Sequence, residues 1–413
     1  METYRSGLLG KLWPAHVKPQ RDELLSSWLV RLAMAHGIKL HTFCSVTWPL
    51  KQIWNRDIDR SADLELLQTL SDKTATPLER VRATTLAAYE SVLYEEHKKL
   101  GPAAWITPVG IYHRTRTKCG QQFCPSCLAE DKEPYYRRKW RLAFIVVCEK
   151  HHTLLHDRCP GCLGAVNFHR DEMGNFRKFA AESLTTCNHC GFDLCAANEA
   201  IPLLPVTPAE VRFNADLLSA VDTGVVQVSE SIFTYSHLYF AALRQIMKVM
   251  AMHDSRVDRL GRAISSSFDV APYTPPASRP RPDVQELDIT NRRRLLELAR
   301  CLLEEWPSRF IELSRKYKVW SSLWLRNFEP GAKERPRSAP FWFWNVVHEH
   351  LYRARYCPSE TETAAAISYL KQKGGVLNKS SLSRLLGVAV IRRKGLTTIG
   401  GRYPRRFPSV STE

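Results

Sequence analysis

The sequence feature that most constrains the fold is a series of paired cysteine and histidine residues between positions 124 and 190. In each pair two residues separate the members, which lets both side chains of a tight turn point at one ion. The pairs are Cys124 and Cys127, Cys148 and His151, Cys159 and Cys162, and Cys187 and Cys190. Twenty residues separate the first two pairs and twenty-four separate the last two. Two turns complete a tetrahedron, so the pattern predicts two consecutive four-ligand metal sites.

The ligand types in these pairs indicate which metal the sites hold. Thiolate and imidazole ligands at this spacing favour zinc over harder cations. Four protein ligands leave no open position for a catalytic water, so we predict two structural zinc ions. The alternative is that the cysteines are buried or redox-active thiols. A redox dithiol is usually a single pair beside a βαβ pattern, and the sequence lacks that pattern.

The assignment of individual ligands leaves alternatives. The two sets could interleave, with pairs exchanged between the sites. Nearby residues could also replace a predicted ligand: Cys119, His152, His156, His189 and Cys195. Three cysteines far from the pairs are expected to be ordinary buried thiols: Cys44, Cys301 and Cys357.

Length and charge limit the classes of protein that remain. The chain has 413 residues, a length that suggests two or three domains. Its formal net charge of +17 favours a polyanionic partner. No apolar run reaches the roughly 18 residues of a membrane-spanning helix, so we expect no membrane partner. The N-terminus has no continuous apolar signal core. Twelve cysteines in such a chain indicate metal ligands or free thiols, and therefore a reducing, cytoplasmic location.

The distribution of apolar residues, glycines and prolines predicts a mainly α fold with small zinc ribbons. We expect an N-terminal helical part that resembles a helix-turn-helix domain at 1–115 and a tandem zinc-ribbon module at 116–200. A helical segment at 201–270 and a proline-rich linker at 271–283 follow. A basic helical C-terminal domain at 284–413 completes the chain.

The clearest helical pattern lies in DELLSSWLVRLAMAHG, residues 22–37, where apolar residues recur at helical spacing. Asp22 can serve as its N-cap and Gly37 can end it. A second apolar run, LHTFCSVTW, follows directly. Helix, glycine, helix is the outline of a helix-turn-helix unit, and equally of any helical hairpin. Pro77 is placed to begin a helix at 77–99. The other helical patterns lie at 61–71, 208–220 and 231–252.

The sequence resembles the TniQ/TnsD family of transposon target-selection proteins in two stretches. DELLSSWLVRLAMAHG is similar to the opening motif of that family, and QQFCPSCLAEDKEPYYRRKWRLAFIVVCEKHHTLLHDRCPGC is similar to its zinc-ribbon signature. The resemblance covers about residues 14–195 and implies the two ligand sets named above. The chain differs at His152, where the family pattern has a small residue such as glycine. His151 and His152 are therefore both open as the fourth ligand of the first site.

This resemblance implies a non-catalytic adaptor of a Tn7-like transposon. Members of the family mark the insertion site and recruit a TnsC-like AAA+ regulator. Short, TniQ-like members dock, often as homodimers, on a CRISPR RNA-guided effector complex, and at 413 residues this chain is nearer to them in length. Long, TnsD-like members bind an attachment site in DNA directly, which is the alternative function for this chain.

An enzymatic function is the remote alternative. A zinc-dependent nuclease needs an open metal site with acidic residues at a catalytic spacing, and the acidic residues near these ligands have no such spacing. The chain also lacks the G-x-x-x-x-G-K-[ST] phosphate loop, so ATP hydrolysis would belong to a partner. We therefore expect no enzymatic activity.

A basic and aromatic run, YYRRKWR at 135–141, is the first candidate nucleic-acid contact. Cations and ring faces presented together are suited to phosphates and bases. The cations concerned are Arg137, Arg138, Lys139 and Arg141. In the alternative interpretation, Tyr136 and Trp140 pack in the core of the ribbon and the cations are solvated.

The second candidate contact is a helix-turn-helix-like segment at 362–396. TETAAAISYLKQKG supplies its first helix, and Ser380 or Ser381 can cap a second helix that ends at Leu386 before a turn at Gly387. The third helix is short or absent, because GLTTIGG is a poor helix former. The expected DNA contacts are Arg384, Arg392, Arg393 and Lys394. Solvation of this basic run is the alternative.

A run of four aromatic residues, FWFW at 341–344, is the last feature that stands out. Four adjacent rings alternate too tightly to form one stripe of a helix. We expect them in the core or on a protein-docking face, in preference to a platform for base stacking.

Overall fold

A computed structural model describes residues 11–112, 115–116, 118–170, 183–201, 204–276, 282–328, 339–352 and 358–387. These residues are mainly helical with short two-stranded sheets, which confirms the predicted fold class. The chain divides into two compact units, 1–352 and 353–413. The predicted boundaries at 115, 200 and 283 lie inside the first unit, and that finer division stays a prediction. Within the described ranges no helix is long and apolar enough to cross a membrane.

The first unit begins with short helices packed around a buried one. They are α1 Leu25–Ala35, α2 Leu40–Thr47, α3 Ile58–Ser61, α4 Leu64–Thr74 and α5 Leu78–Arg82. Helix α1 forms where the apolar spacing predicts it and is buried from Leu25 to Ala33. Gly37 follows it with φ +64° and donates its backbone N–H to the Met34 carbonyl at 2.9 Å. That left-handed conformation is the reason why glycine suits the helix end.

The N-cap predicted for α1 is wrong. Helix α1 begins without a side-chain cap from its own sequence neighbours. Asp22 adopts φ +58° and its carboxylate accepts hydrogen bonds from Arg138 and from the Lys139 backbone N–H. The Ser26 N–H of the first turn instead donates to Asp59 Oδ1 at 2.8 Å. A carboxylate from α3 therefore satisfies a helix donor that local sequence was expected to satisfy.

The long helix predicted at 77–99 is also wrong. Helix α5 ends at Arg82, and only a 3₁₀ turn, Leu86–Tyr89, follows. Thr84 and Thr85 donate their hydroxyls to the carbonyls of Val81 and Arg82, at 2.7 and 2.8 Å. Such local side-chain bonds compete with the continuing helix.

The central part of the first unit has little regular structure. It contains the two-stranded sheet of β1 Ile111–Tyr112 and β2 Thr115–Arg116, together with helices α6 Pro125–Glu130 and α7 Ala197–Ala200. Short 3₁₀ turns lie at Arg138–Arg141, Phe168–Arg170 and Leu194–Ala196. Isolated backbone bridges connect the remaining segments.

Seven helices, most of them longer, follow among the described residues of the first unit. They are α8 Pro208–Thr223, α9 Ser236–Met250, α10 Ser255–Phe268, α11 Ile289–Leu303, α12 Ser308–Lys316, α13 Ser321–Trp324 and α14 Phe341–Leu351. The predicted helix at 208–220 is confirmed as α8. The pattern at 231–252 is a helix only from Ser236, because β4, Ile232–Tyr235, precedes it and pairs with β3, Val225–Ser229.

Helix α11 attaches the helical part to the central part. The Arg292 guanidinium is buried and donates to the Ala143 carbonyl at 2.7 Å and to Gln122 Oε1 at 3.1 Å. The Ile289 backbone N–H donates to Asp157 Oδ2 at 3.0 Å. One continuous core therefore runs through residues that composition assigned to separate domains.

The second unit contains two described helices, α15 Glu360–Gln372 and α16 Lys379–Leu386, which pack against each other. They match the first two helices of the predicted helix-turn-helix, and Gly387 ends α16 with φ +69°. The predicted serine cap is wrong, because the Asn378 side chain accepts from the Ser381 N–H at 2.8 Å. The predicted third helix lies outside the described residues.

Candidate metal centres

The first four predicted ligands converge on one point. Cys124 immediately precedes α6, and Cys127 lies in the first turn of that helix. The Nδ1 atom of His151 lies 3.4 Å from Cys124 Sγ, 3.3 Å from Cys127 Sγ and 3.5 Å from Cys148 Sγ. Cys127 Sγ and Cys148 Sγ are 3.6 Å apart. Zinc–ligand bond lengths give tetrahedral edges of about 3.8 Å between sulfurs and about 3.6 Å between sulfur and nitrogen. The cluster therefore fits a four-coordinate metal ion.

A short hairpin presents the second pair of these ligands to α6. Val147 and Leu154 form the bridge that closes the turn carrying Cys148 and His151. Phe123 and His156 exchange backbone hydrogen bonds of 2.9 Å in both directions. This pairing places the end of the hairpin beside the residue that precedes Cys124.

The second four predicted ligands also converge. Cys159 Sγ lies 3.6 Å from Cys190 Sγ, and Cys162 Sγ lies 3.8 Å from Cys187 Sγ. Cys159 and Cys187 are buried, whereas Cys162 and Cys190 are exposed. The structure groups the two sets as the spacing predicts, without interleaving. Each set could bind a metal ion with four protein ligands.

Three of the four ligand turns share one backbone hydrogen bond and one backbone conformation. The residue four positions after the first cysteine donates its N–H to that cysteine's carbonyl, at 2.9 Å for His152, 2.8 Å for Leu163 and 2.9 Å for Gly191. All three residues have left-handed φ values, of +52°, +57° and +75°. In the fourth turn, Leu128 makes the same type of bond to Cys124 but continues into α6.

The backbone conformation of this turn distinguishes between the two histidines that the sequence left as alternative ligands. His152 occupies the left-handed turn position that glycine holds at Gly191, and its side chain is exposed. His151 directs Nδ1 at the three sulfurs, and its Nε2 lies 2.9 Å from Glu130 Oε1. A carboxylate on the second ring nitrogen fixes the ring orientation of a ligand histidine. Sequence reasoning missed Glu130, which no spacing rule would have identified.

The other cysteines lie outside both clusters. Cys44 and Cys301 are buried as expected, and Cys119 and Cys195 are half-buried free thiols. Cys357 lies outside the described residues. The nearby substitutes considered for the ligand sets are therefore not part of either cluster.

The basic and aromatic run packs beside the first cluster. Tyr136 and Trp140 are buried, as the alternative interpretation states. Arg137 donates to both oxygens of Asp131, at 3.1 and 2.8 Å. Arg138 donates to Asp22 at 3.2 Å, and Lys139 pairs with Glu149. These cations already neutralise carboxylates, so their binding to phosphate stays a prediction that the contacts do not favour.

Arg141 lies deepest in this run. Its side chain is fully buried and donates to Asp57 at 2.6 Å, to Asp59 at 3.4 Å and to the Thr107 carbonyl at 2.9 Å. Burial, together with the charge of Asp57, raises the pKa of the Asp59 carboxyl to about 6. A guanidinium in this position holds the α3 segment against the central part and does not face a ligand.

The C-terminal candidates divide between described and undescribed residues. Arg384 lies on α16 with an exposed side chain. Arg392, Arg393 and Lys394 lie outside the described residues. The DNA contacts expected of this segment therefore stay predictions.

Comparison with family models finds a match in the N-terminal part of the chain. The family model described as TniQ matches residues 14–155. This range holds the N-terminal helices and all four ligands of the first cluster, and it ends before Cys159, the first ligand of the second. A search of the curated proteins found no match to the chain.

Proposed function

Because the chain belongs to the TniQ/TnsD family through its TniQ domain at residues 14–155, we propose that it is a non-catalytic adaptor in target-site selection. The domain indicates a role in target selection during Tn7-like transposition. In the finer proposal, the chain links a CRISPR RNA-guided effector complex, or target DNA, to a TnsC-like AAA+ regulator. Short, effector-docking members of the family also form homodimers, and the finer proposal includes a homodimer.

The observation that carries this proposal is the pair of four-ligand clusters contiguous with the TniQ core. We propose zinc as the metal in both, because thiolate and imidazole donors at these distances suit zinc. When bound, the ion would supply folding free energy, since each site is closed by protein ligands. A closed site supports a structural role, and supports the absence of nuclease activity. Action on chromosomal DNA would place the protein in the cytoplasm.

A second function, direct recognition of an attachment site, has one observation in its favour. Helices α15 and α16 of the second unit are capped at both starts, and Gly387 follows α16 in the left-handed turn conformation. This is the first half of a helix-turn-helix. A TnsD-like role would need a recognition helix after Gly387.

Two assays on purified full-length protein separate these functions. The first is co-purification with an RNA-guided effector complex and with the AAA+ regulator. The second is a gel shift at moderate salt on candidate attachment sites. The adaptor proposal predicts association with both protein partners and no sequence-specific binding of the free chain. Tight binding to one DNA sequence without either partner would favour the second function. Metal-dependent cleavage of plasmid would contradict both.

A further inference from the structure

Helix α14 carries aromatic rings on two opposite faces. One face is buried in the first unit and consists of Trp342, Phe343, Val346, Val347 and Leu351. The other face is exposed and presents Phe341, Trp344 and His348, with Tyr352 directly after the helix. These four residues are spaced by three, four and four, which aligns them along one side of a helix. We call them the α14 ladder. The FWFW run is thus divided between core and surface.

Neighbouring rings of the ladder lie close together: Trp344 and His348 stack with an interplanar angle of 22°, and the pairs at the two ends are tilted by 34° and 36°. Centroid distances are 6.0 Å between Phe341 and Trp344, 4.8 Å between Trp344 and His348, and 5.4 Å between His348 and Tyr352. The two end rings are the most exposed, at 72% for Phe341 and 62% for Tyr352, against 36% for Trp344. The row of rings therefore has its largest exposed ring surface at the two ends. At 1.5 Å per residue, these ends are about 16 Å apart along the helix.

Cations without carboxylate partners lie on the neighbouring helix α12 and in the turns that follow α12 and α13. Arg315, Lys316, Lys318 and Arg326 are exposed, and none forms an ion pair among the described residues. Arg315 lies beside the end of the ladder, because its Nε donates to the His350 carbonyl at 3.1 Å. Among the described residues, these four cations outnumber the exposed carboxylates of Glu312 on α12 and Glu349 on α14. The ladder therefore lies in a region of positive charge.

Exposed rings in a positively charged setting suit one class of partner. Bases stack on aromatic faces whatever their sequence, and phosphates follow unpaired cations. An apolar helix from a protein partner would bury the ring faces equally well, but it would leave the excess of positive charge without counter-charges, which the phosphates of a nucleic acid supply. We propose that the α14 ladder is a stacking site for single-stranded DNA. The choice of DNA over RNA rests on the proposed role in target selection. The proposal of a stacking site rests only on the rings and cations of the structure.

The experiment measures fluorescence anisotropy of a labelled dT15 oligonucleotide with full-length protein at low and moderate salt. The test variants are Phe341→Ala and Tyr352→Ala. The matched controls are Phe233→Ala and Tyr235→Ala, which remove the same residue types at 65% and 66% exposure from strand β4. Each ladder variant should weaken binding about five-fold or more, as expected when one stacked base is lost. Both controls should bind within two-fold of the unsubstituted protein. Lys316→Gln with Lys318→Gln should reduce the salt dependence of binding.

Several outcomes would overturn this inference. They are absence of dT15 binding by the unsubstituted protein, equal losses in ladder and control variants, or binding of rU15 alone. Retained DNA binding by ladder variants that no longer co-purify with the effector or regulator would identify a protein-docking face instead. If the unsubstituted protein does not bind dT15 but still co-purifies with the protein partners, the stacking site is refuted and the adaptor proposal is retained. If the protein binds dT15 through the ladder but associates with neither protein partner, the adaptor proposal is refuted and the stacking site is retained.

Discussion

At the scale of single residues, side-chain chemistry and backbone conformation have separate roles in the metal clusters. Cysteine and histidine supply the donor atoms, and their two-residue spacing was enough to predict which residues meet. The residue that follows three of the four pairs must meet a different requirement, a positive φ. His152 and Leu163 adopt this conformation despite having a Cβ, and Gly191 adopts it without strain. The histidine beside a ligand is thus a turn residue.

Removing one thiolate from each cluster should remove one metal ion from each. Cys127→Ser and Cys187→Ser should each lower bound zinc by about one equivalent and reduce solubility, because a three-ligand site loses the binding free energy that drives local folding. Elemental analysis of the purified variants measures the molar ratio of zinc to protein. Cys195→Ser, beside the second cluster but outside it, should keep both equivalents. Unchanged zinc in either test variant would contradict the ligand assignment.

The two adjacent histidines should respond in opposite ways. His151→Ala should lose about one metal equivalent, because it removes the fourth donor. His152→Gly should keep both equivalents and have an equal or higher Tm, because glycine accepts φ +52° without the cost of about 1 kcal/mol or more that other residues incur. Metal analysis and thermal unfolding measure the two effects. Loss of metal in His152→Gly alone would reverse the assignment.

The buried carboxyl of Asp59 should make stability depend on pH. Its pKa is raised from 3.8 to about 6, so the folded protein binds the proton more tightly than the unfolded chain. That contribution is fully present below about pH 4 and is lost as the pH rises through 6. From pH 5 to pH 7 the unsubstituted protein should lose about 1 kcal/mol of unfolding free energy relative to Asp59→Asn. Urea denaturation of both proteins at both pH values measures this, and metal loss common to both cancels. An equal difference at both pH values would contradict it.

At the scale of secondary structure, tertiary contacts decide where helices begin and end. The helical patterns located α1 and α8, because one face of each must be buried. Their caps were less predictable: Asp59 satisfies the first turn of α1 from another helix, and Asn378 caps α16 where a serine was expected. A cap is one hydrogen bond, and any well-placed acceptor can form it.

Two glycine-to-alanine changes should shift stability in opposite directions. Gly261 lies inside α10, and an added Cβ would first meet Met250 Cε at 3.6 Å, which is ordinary contact. Gly261→Ala should therefore stabilise the protein by about 0.5–1 kcal/mol through helix propensity. Gly120→Ala would place Cβ 2.2 Å from the Pro108 carbonyl oxygen and should destabilise it by about 1–3 kcal/mol. Urea denaturation measures both, and a destabilised Gly261→Ala would contradict the helix argument.

At the scale of the whole molecule, a buried arginine joins the metal-binding part to the helices that follow. Arg292 on α11 reaches the Ala143 carbonyl and the Gln122 side chain, across about half of the sequence of the first unit. Burial lowers its pKa to about 10, so the guanidinium stays charged at neutral pH. Both ligand clusters and the α14 ladder therefore belong to one compact unit.

Removing this guanidinium should destabilise the whole first unit. Arg292→Met leaves the Ala143 carbonyl, the Leu287 carbonyl and the Gln122 amide oxygen without their donor. Buried acceptors left unpaired cost about 1–3 kcal/mol each, so we expect a loss of about 3 kcal/mol or more. Thermal unfolding measures the change. Arg294→Met, at a half-buried position on the same helix, is the control and should have a small effect. Similar losses of stability in both variants would contradict the conclusion that the buried hydrogen bonds of Arg292 stabilise the first unit.

The sequence by itself determined the ligand sets, the mainly helical class and the family resemblance. These depend on spacing along the chain: the ligands of a pair are three positions apart, and buried apolar residues recur every three or four positions. Only the tertiary structure decided which histidine faces the first cluster, because that depends on the φ value of a turn. It also decided that the cations of the basic run are paired, that Arg141 is buried, and that half of FWFW is exposed. Those outcomes depend on carboxylates and apolar surfaces contributed by distant segments, whose approach no local pattern specifies.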